Sequence, residues 1–212
     1  MGDANATSRT RRAASRPDRA RLFEIASEQG GYFKAGEARA FGFSRALLAH
    51  HVKSGQFVRM RRGLYRFREY PSSPREQVLI AWLAVGKDRA VISHESALDL
   101  LGLSDVVPGV VHLTVARSRR HLPSILGVKI HTTARPLRPD ERVVRDGMLV
   151  TSATRSLLDA AQAGTAPEQI ELAVVQAIER GLAIAQQLRQ DAARRGRRVA
   201  TLIDEALGKV QQ

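Results

Sequence analysis

The chain has 212 residues, 43% of them hydrophobic, enough to bury the core of one large or two small domains. It lacks cysteine, which excludes disulfides, thiolate nucleophiles and zinc–cysteine sites and fits a reducing cytoplasm. Its 34 Lys and Arg against 21 Asp and Glu give a formal charge of +13, and such a basic surface attracts polyanions, nucleic acid above all.

The charge is uneven. Residues 1–73 hold 15 basic and 6 acidic side chains, whereas residues 74–212 hold 19 and 15. A membrane surface would call for a basic amphipathic helix with bulky aromatics opposite, and none is read. The longest apolar run, Val78 to Val85, is too short to span a bilayer. The N-terminal arginines precede no apolar stretch, so no secretory signal is expected.

Residues 1–17 are polar, small and Arg-rich and read as a disordered basic tail. Arg9, Arg11, Arg12 and Arg16 are either an arm for a DNA groove or a solubilising tail. The first folded domain is placed at 18–70. Asp18 caps a helix of about Arg19 to Glu28, whose apolar face is Leu22, Phe23, Ile25 and Ala26. Gly30-Gly31 ends it. A short second helix fits Lys34 to Ala40, with Ala35 and Ala38 inward. Gly42 supplies a left-handed turn, and Ser44 is the N-cap of a third helix, Arg45 to Ser54. Phe57 to Phe67 alternates around Arg62-Gly63 and reads as a hairpin.

That order is a winged helix-turn-helix. Leu47, Leu48 and Val52 hold the third helix on the first two, and Arg45, Ala49, His50 and Lys53 project outward. A recognition helix enters the major groove by its N-terminal part, which places Ser44, Arg45 and Ala46 nearest base edges. Arg45 suits the bidentate contact to guanine, and Lys53 suits phosphate. On the wing, Arg59, Arg61, Arg62 and Arg66 cluster while Phe57, Leu64, Tyr65 and Phe67 pack inward. Phosphate contacts of this kind set affinity and orientation, not base choice. The competing reading is a hairpin with a merely solvated outer face. His50 and His51 point about 100° apart on a helix and are not read as a metal pair.

Tyr70 to Pro74 is a linker by composition, and a second domain is placed at 74–212. It starts with a helix, Arg75 to Val85. A strand at Ala90 to Ser93 leads into a helix capped by Ser93, with Leu98 and Leu101 inward. Strands follow at Val110 to Ala116, Gly127 to Thr133 and Met148 to Thr151, with a basic loop of Arg117, Arg119 and Arg120 between the first two. Ser152 caps the next helix, and helices near Glu168 to Arg180, Gln186 to Arg195 and Val199 to Leu207 complete the chain. The expected class is α+β: a winged helix-turn-helix, then a domain with a small sheet and a helical C-terminal half.

Catalytic chemistry is not apparent. Ser93, His94 and Glu95 are consecutive at a helix start and point apart, so Ser93 is read as a cap. His112, His121 and His131 lie on or between two strands; His112 and His131 are potential cross-strand neighbours, without a carboxylate at ligand spacing. The segment from Asp140 to Asp146 imitates an acidic metal site but reads as bordering a loop. No phosphate-cradling glycine loop or zinc-protease motif is found. No catalytic residue, metal or cofactor is expected, and the protein is read as not an enzyme.

The block from Tyr32 to Phe67, with Gly55, Arg59, Arg62, Gly63 and Tyr65 in a G-x-x-x-R-x-x-R-G-x-Y pattern, resembles the N-terminal winged helix of AbiEi-type antitoxins of type IV toxin–antitoxin systems. "VISHESALDLLGL" and "LVTSATRSLLDAA" resemble recurring segments of the domain that follows there. The resemblance implies repression of the protein's own operon through upstream repeats. It also implies opposition to a nucleotidyltransferase toxin without a stable complex. It places Ser44, Arg45, Lys53, Arg59, Arg61 and Arg62 in DNA-facing segments and assigns no residue to neutralisation. The nuclease-like extension of some relatives is not expected after Gln212. Double-stranded operator DNA is the expected partner, for a cytoplasmic monomer or weak dimer. The alternatives are a stand-alone regulator, a protein-docking winged helix, and a nucleic-acid enzyme built on converging Asp140, Glu141 and Asp146.

Overall fold

A computed structural model describes residues 16–210, and the chain divides into two compact units between Pro71 and Ser72. Arg9, Arg11 and Arg12 of the basic tail lie outside the described residues, and Arg16 is exposed.

The first unit begins with α1 (Arg19–Ser27), capped by Asp18, whose carboxylate accepts the Arg21 amide at 2.9 Å. A three-residue strand, β1 (Tyr32–Lys34), follows and leads into α2 (Ala35–Ala40) and α3 (Arg45–Lys53). The hairpin is β2 (Phe57–Arg61) and β3 (Leu64–Phe67), and the antiparallel sheet runs β1-β3-β2. β1, which no sequence pattern predicts, gives the hairpin its third strand. Gly42, at φ +84°, makes the turn between α2 and α3.

Cross-strand partners share a face. Phe33, Tyr65 and Arg59 are in register on one face, and Tyr32, Arg66 and Val58 on the other. On the first face Phe33, Phe57 and Phe67 meet with ring centroids 4.9–5.2 Å apart, and Leu22, Phe43 and Leu48 pack on them fully buried. Each buried Phe or Leu contributes about 2 kcal/mol of transfer free energy, which is how so small a unit holds a core.

The second unit opens with α4 (Glu76–Val85), β4 (Ala90–Ile92) and α5 (His94–Leu101). Then come β5 (Val111–Ala116), β6 (Val128–Thr133), β7 (Arg142–Arg145) and β8 (Met148–Thr151). Four helices close the unit: α6 (Ala153–Ala163), α7 (Pro167–Glu179), α8 (Ala185–Ala193) and α9 (Arg197–Lys209). The sheet order is β6-β5-β4-β8-β7, with β5/β6 and β4/β8 parallel and the other pairs antiparallel. Leu98, Leu157, Ile170, Val174, Leu188 and Ile203, all at 0% exposure, form the core under the C-terminal helices. The molecule is thus mixed α+β.

Two local readings are corrected. Asp140 lies within a 3-10 turn, Pro139–Glu141, followed by β7, an edge strand exposed along its length and paired on one side with β8. Ser93 and Ser152 occupy N-cap positions, but neither hydroxyl caps its helix. The Ser93 hydroxyl is claimed by Thr114, which donates to it at 2.8 Å, and lies 2.9 Å from His94 Nδ1.

Candidate nucleic-acid interface

The third helix is amphipathic in space as well as in sequence. Ser44 Oγ accepts the Leu47 amide at 3.1 Å, fixing the start of α3. Leu48 is buried and Leu47 and Val52 pack against the core. His51 turns inward: Nδ1 lies 2.6 Å from Gln56 Oε1, and the ring packs against Phe57 at 4.9 Å. Ser44, Arg45, Ala46, Ala49, His50 and Lys53 are all exposed. They form one outward row, small in the middle and cationic at both ends. Lys53 in the last turn also complements the negative end of the helix dipole.

The hairpin divides the four wing arginines. Arg59 and Arg62 are exposed, and Arg62 precedes Gly63, whose φ of +77° makes the tip. A bulge between Arg59 and Arg61 shifts the register, and Arg61 is half-buried. Arg66 is also half-buried, on the face opposite Arg59, with its guanidinium 5.9 Å from the Tyr32 ring centroid. Arg59 and Arg66 therefore do not share a face. The Arg68 side chain donates to the Gly55 carbonyl, tying the hairpin base to the end of α3. Arg39, exposed in the last turn of α2, is a basic residue outside the DNA-facing set expected from the sequence.

The second unit brings together groups that sequence spacing kept apart. His94 opens α5, His112 lies on β5 and His131 on β6. The parallel β5/β6 register aligns His131 with Thr114, so His112 is its diagonal neighbour rather than its direct partner. His131 Nε2 lies 3.1 Å from His112 Nδ1, and the His94 ring stacks on His131 at 3.5 Å. A carboxylate is present after all: Glu95 Oε2 is 3.9 Å from His112 Nε2. His94 has φ +55°, a left-handed conformation for a non-glycine residue. Burial, reinforced by the neighbouring imidazoles, pushes His94 down to about 2 and His131 down to about 4. Burial also lowers His112, opposed by Glu95. Burial thus favours the neutral form of all three rings.

Beside them, Glu141 is clamped by Arg135 at 2.6 and 2.7 Å, Arg155 at 3.1 Å and the Arg138 amide at 2.8 Å. Arg155 also donates to Asp159 at 2.7 Å. Asp140 pairs with Arg138 at 3.0 Å. Among the described residues the one group of three or more clustered metal-ligating side chains is the histidine trio, not the acidic segment at 140–146. Among the described residues, no helix is long and apolar enough to cross a membrane.

Residues 20–68 match the family model described as "Transcriptional regulator, AbiEi antitoxin". The match bears out the resemblance read from the sequence over that segment and lies within the first unit. No curated protein matches the chain. The crystal structure of the RV2827C protein from Mycobacterium tuberculosis is similar, with a TM-score of 0.59 at 15% identity, over 87% of this chain and 75% of that one. At that identity the likeness speaks to fold alone, and it supports the α+β architecture.

Proposed function

We propose that the protein is a DNA-binding transcriptional repressor and antitoxin. Its first unit binds operator repeats upstream of its own operon, and its second counteracts a nucleotidyltransferase toxin. The observation that carries the reading is the outward row on α3. A helix locked to its core by Leu48 leaves Arg45 at its N-terminal end and Lys53 at its C-terminal end open to a polyanion. Ser44, Arg45 and Ala46 face base edges, His50 and Lys53 flank the backbone, and Ala49 leaves room for close approach. Arg59 and Arg62 on the wing contact phosphate, and Arg61 and Arg66 supply secondary charge. Monomers that pair only on the DNA suffice for operator repeats.

A gel shift comparing the upstream region with an unrelated duplex of equal length tests the repressor half. Preference for the upstream DNA is expected; equal affinity for both contradicts it. The family match is confined to the first unit, which favours a stand-alone regulator as the second reading. Co-expression of the full chain with a neighbouring nucleotidyltransferase gene separates the two. Rescue of growth supports the antitoxin; continued toxicity leaves the regulator alone.

A further inference from the structure

We propose that His94, His112 and His131 form a binding site for one divalent d-block cation of the zinc class. The argument is independent of the DNA-binding reading, because all three residues lie in the second unit.

The donor atoms of the three rings lie within 4.8 Å of one another. Zinc bound to histidine sits about 2.0–2.1 Å from each nitrogen, so tetrahedral ligands stand roughly 3.3 Å apart. His131 Nε2 and His112 Nδ1, at 3.1 Å, already have that spacing. In the absence of an ion two facing ring nitrogens need a shared proton; a cation accepts both lone pairs instead. The His94 ring stacks nearly parallel to His131, at 19°, so ligation requires it to tilt until its lone pair meets the other two.

The surroundings favour that chemistry. Glu95 lies on the far side of His112, 3.9 Å from Nε2, where it draws the proton to that nitrogen and frees Nδ1. Glu95 is itself held by the Thr165 hydroxyl at 2.7 Å. A carboxylate behind a ligating imidazole is the usual outer shell of a histidine–metal site. Ser93 Oγ, 2.9 Å from His94 Nδ1, engages that nitrogen and leaves Nε2 as the atom available to a cation. The left-handed backbone of His94 aims a helix-opening residue at the sheet, a conformation that a side chain serving only as filler would not require. Three imidazole nitrogens without thiolate or carboxylate in the inner shell suit zinc, cobalt or nickel over magnesium or calcium. His94 and His131 also line an open cleft of about 380 Å³, shared with Thr114, Arg155 and Arg195, so the fourth position is reachable by water.

The test uses the full chain without a polyhistidine tag, stripped with chelator and titrated with cobalt(II) chloride. Visible d–d absorption, saturating at one equivalent and displaced by zinc, is expected. His131→Gln lies on the edge strand β6 and is half-buried, so it should fold and lose the stoichiometric absorption. Glu95→Gln should bind about tenfold more weakly. The double variant His50→Gln/His51→Gln and the variant His121→Gln should bind as the unaltered chain does. Absence of d–d bands in the unaltered chain, or their persistence in a folded His131→Gln, overturns the proposal.

Discussion

Replacing Glu141 by glutamine removes the charge at the centre of the second unit's arginine network. The carboxylate is 9% exposed and accepts from Arg135, Arg155 and the Arg138 amide. Arg135 above all, with the Arg138 amide and Arg155, holds its pKa at about 2 instead of 4.5. That depression corresponds to about 3 kcal/mol of folded-state stability at neutral pH. The folded pKa is lowered, so the contribution is complete above the ordinary carboxylate range and is lost as pH falls towards about 2. At pH ~3 about 2 kcal/mol of it is gone. Trp82, the one tryptophan of the chain, is buried in α4 with its indole N–H on the Ala90 carbonyl, and it reports this unit's unfolding. Urea denaturation followed by Trp82 fluorescence should therefore show Glu141→Gln destabilised by about 3 kcal/mol at pH ~7, and the gap should shrink to about 1 kcal/mol near pH 3. A variant within about 0.5 kcal/mol of the parent at neutral pH, or a gap that does not close with acid, refutes the reasoning.

Gly31 has φ +86°, and a Cβ there would stand 2.2 Å from the Tyr70 ring, so Gly31→Ala should cost the first unit about 3 kcal/mol or more, seen as a lowered melting transition by circular dichroism. Gly36, in the exposed first turn of α2 with nothing within 4 Å of a Cβ, is the opposite case: Gly36→Ala should raise that transition, by about 0.5 kcal/mol. Arg45→Ala should relax base choice on the upstream DNA, reducing its preference over variant duplexes by about 1–3 kcal/mol while leaving binding to random DNA nearly unchanged; competition gel shifts measure both.

The parts of the molecule legible in the sequence are those with local causes. Asp18, Gly42 and Ser44 mark helix ends through their own backbone and side-chain chemistry, and all three do so in the structure. Leu48 and His50 fall on opposite sides of α3, the first buried and the second exposed, because two steps of the helical period put them about 160° apart. What escaped reading depends on distant partners. β1 is too short to alternate and exists because β3 needs a neighbour on its free edge. β7 is exposed at every position, so no apolar pattern announces it. Ser93 looks like a cap until Thr114, 21 positions along, takes its hydroxyl. The histidine trio is invisible in one dimension, since His112 lies 18 positions after His94 and only the parallel β5/β6 register sets His131 beside them. Arg59 and Arg66 are alike in charge, but strand parity, which composition does not show, sends them to opposite faces.

The central claim is that the α3 row and the exposed wing arginines meet the DNA backbone, and its most direct test is the salt dependence of binding to the upstream region. With about five phosphates contacted, log affinity should fall against log salt with a slope near −4 to −5. The double variant Arg59→Ala/Arg62→Ala should flatten that slope by about 2, one phosphate for each lost guanidinium. A slope near zero for the unaltered chain, or one that the double variant leaves intact, would contradict the account.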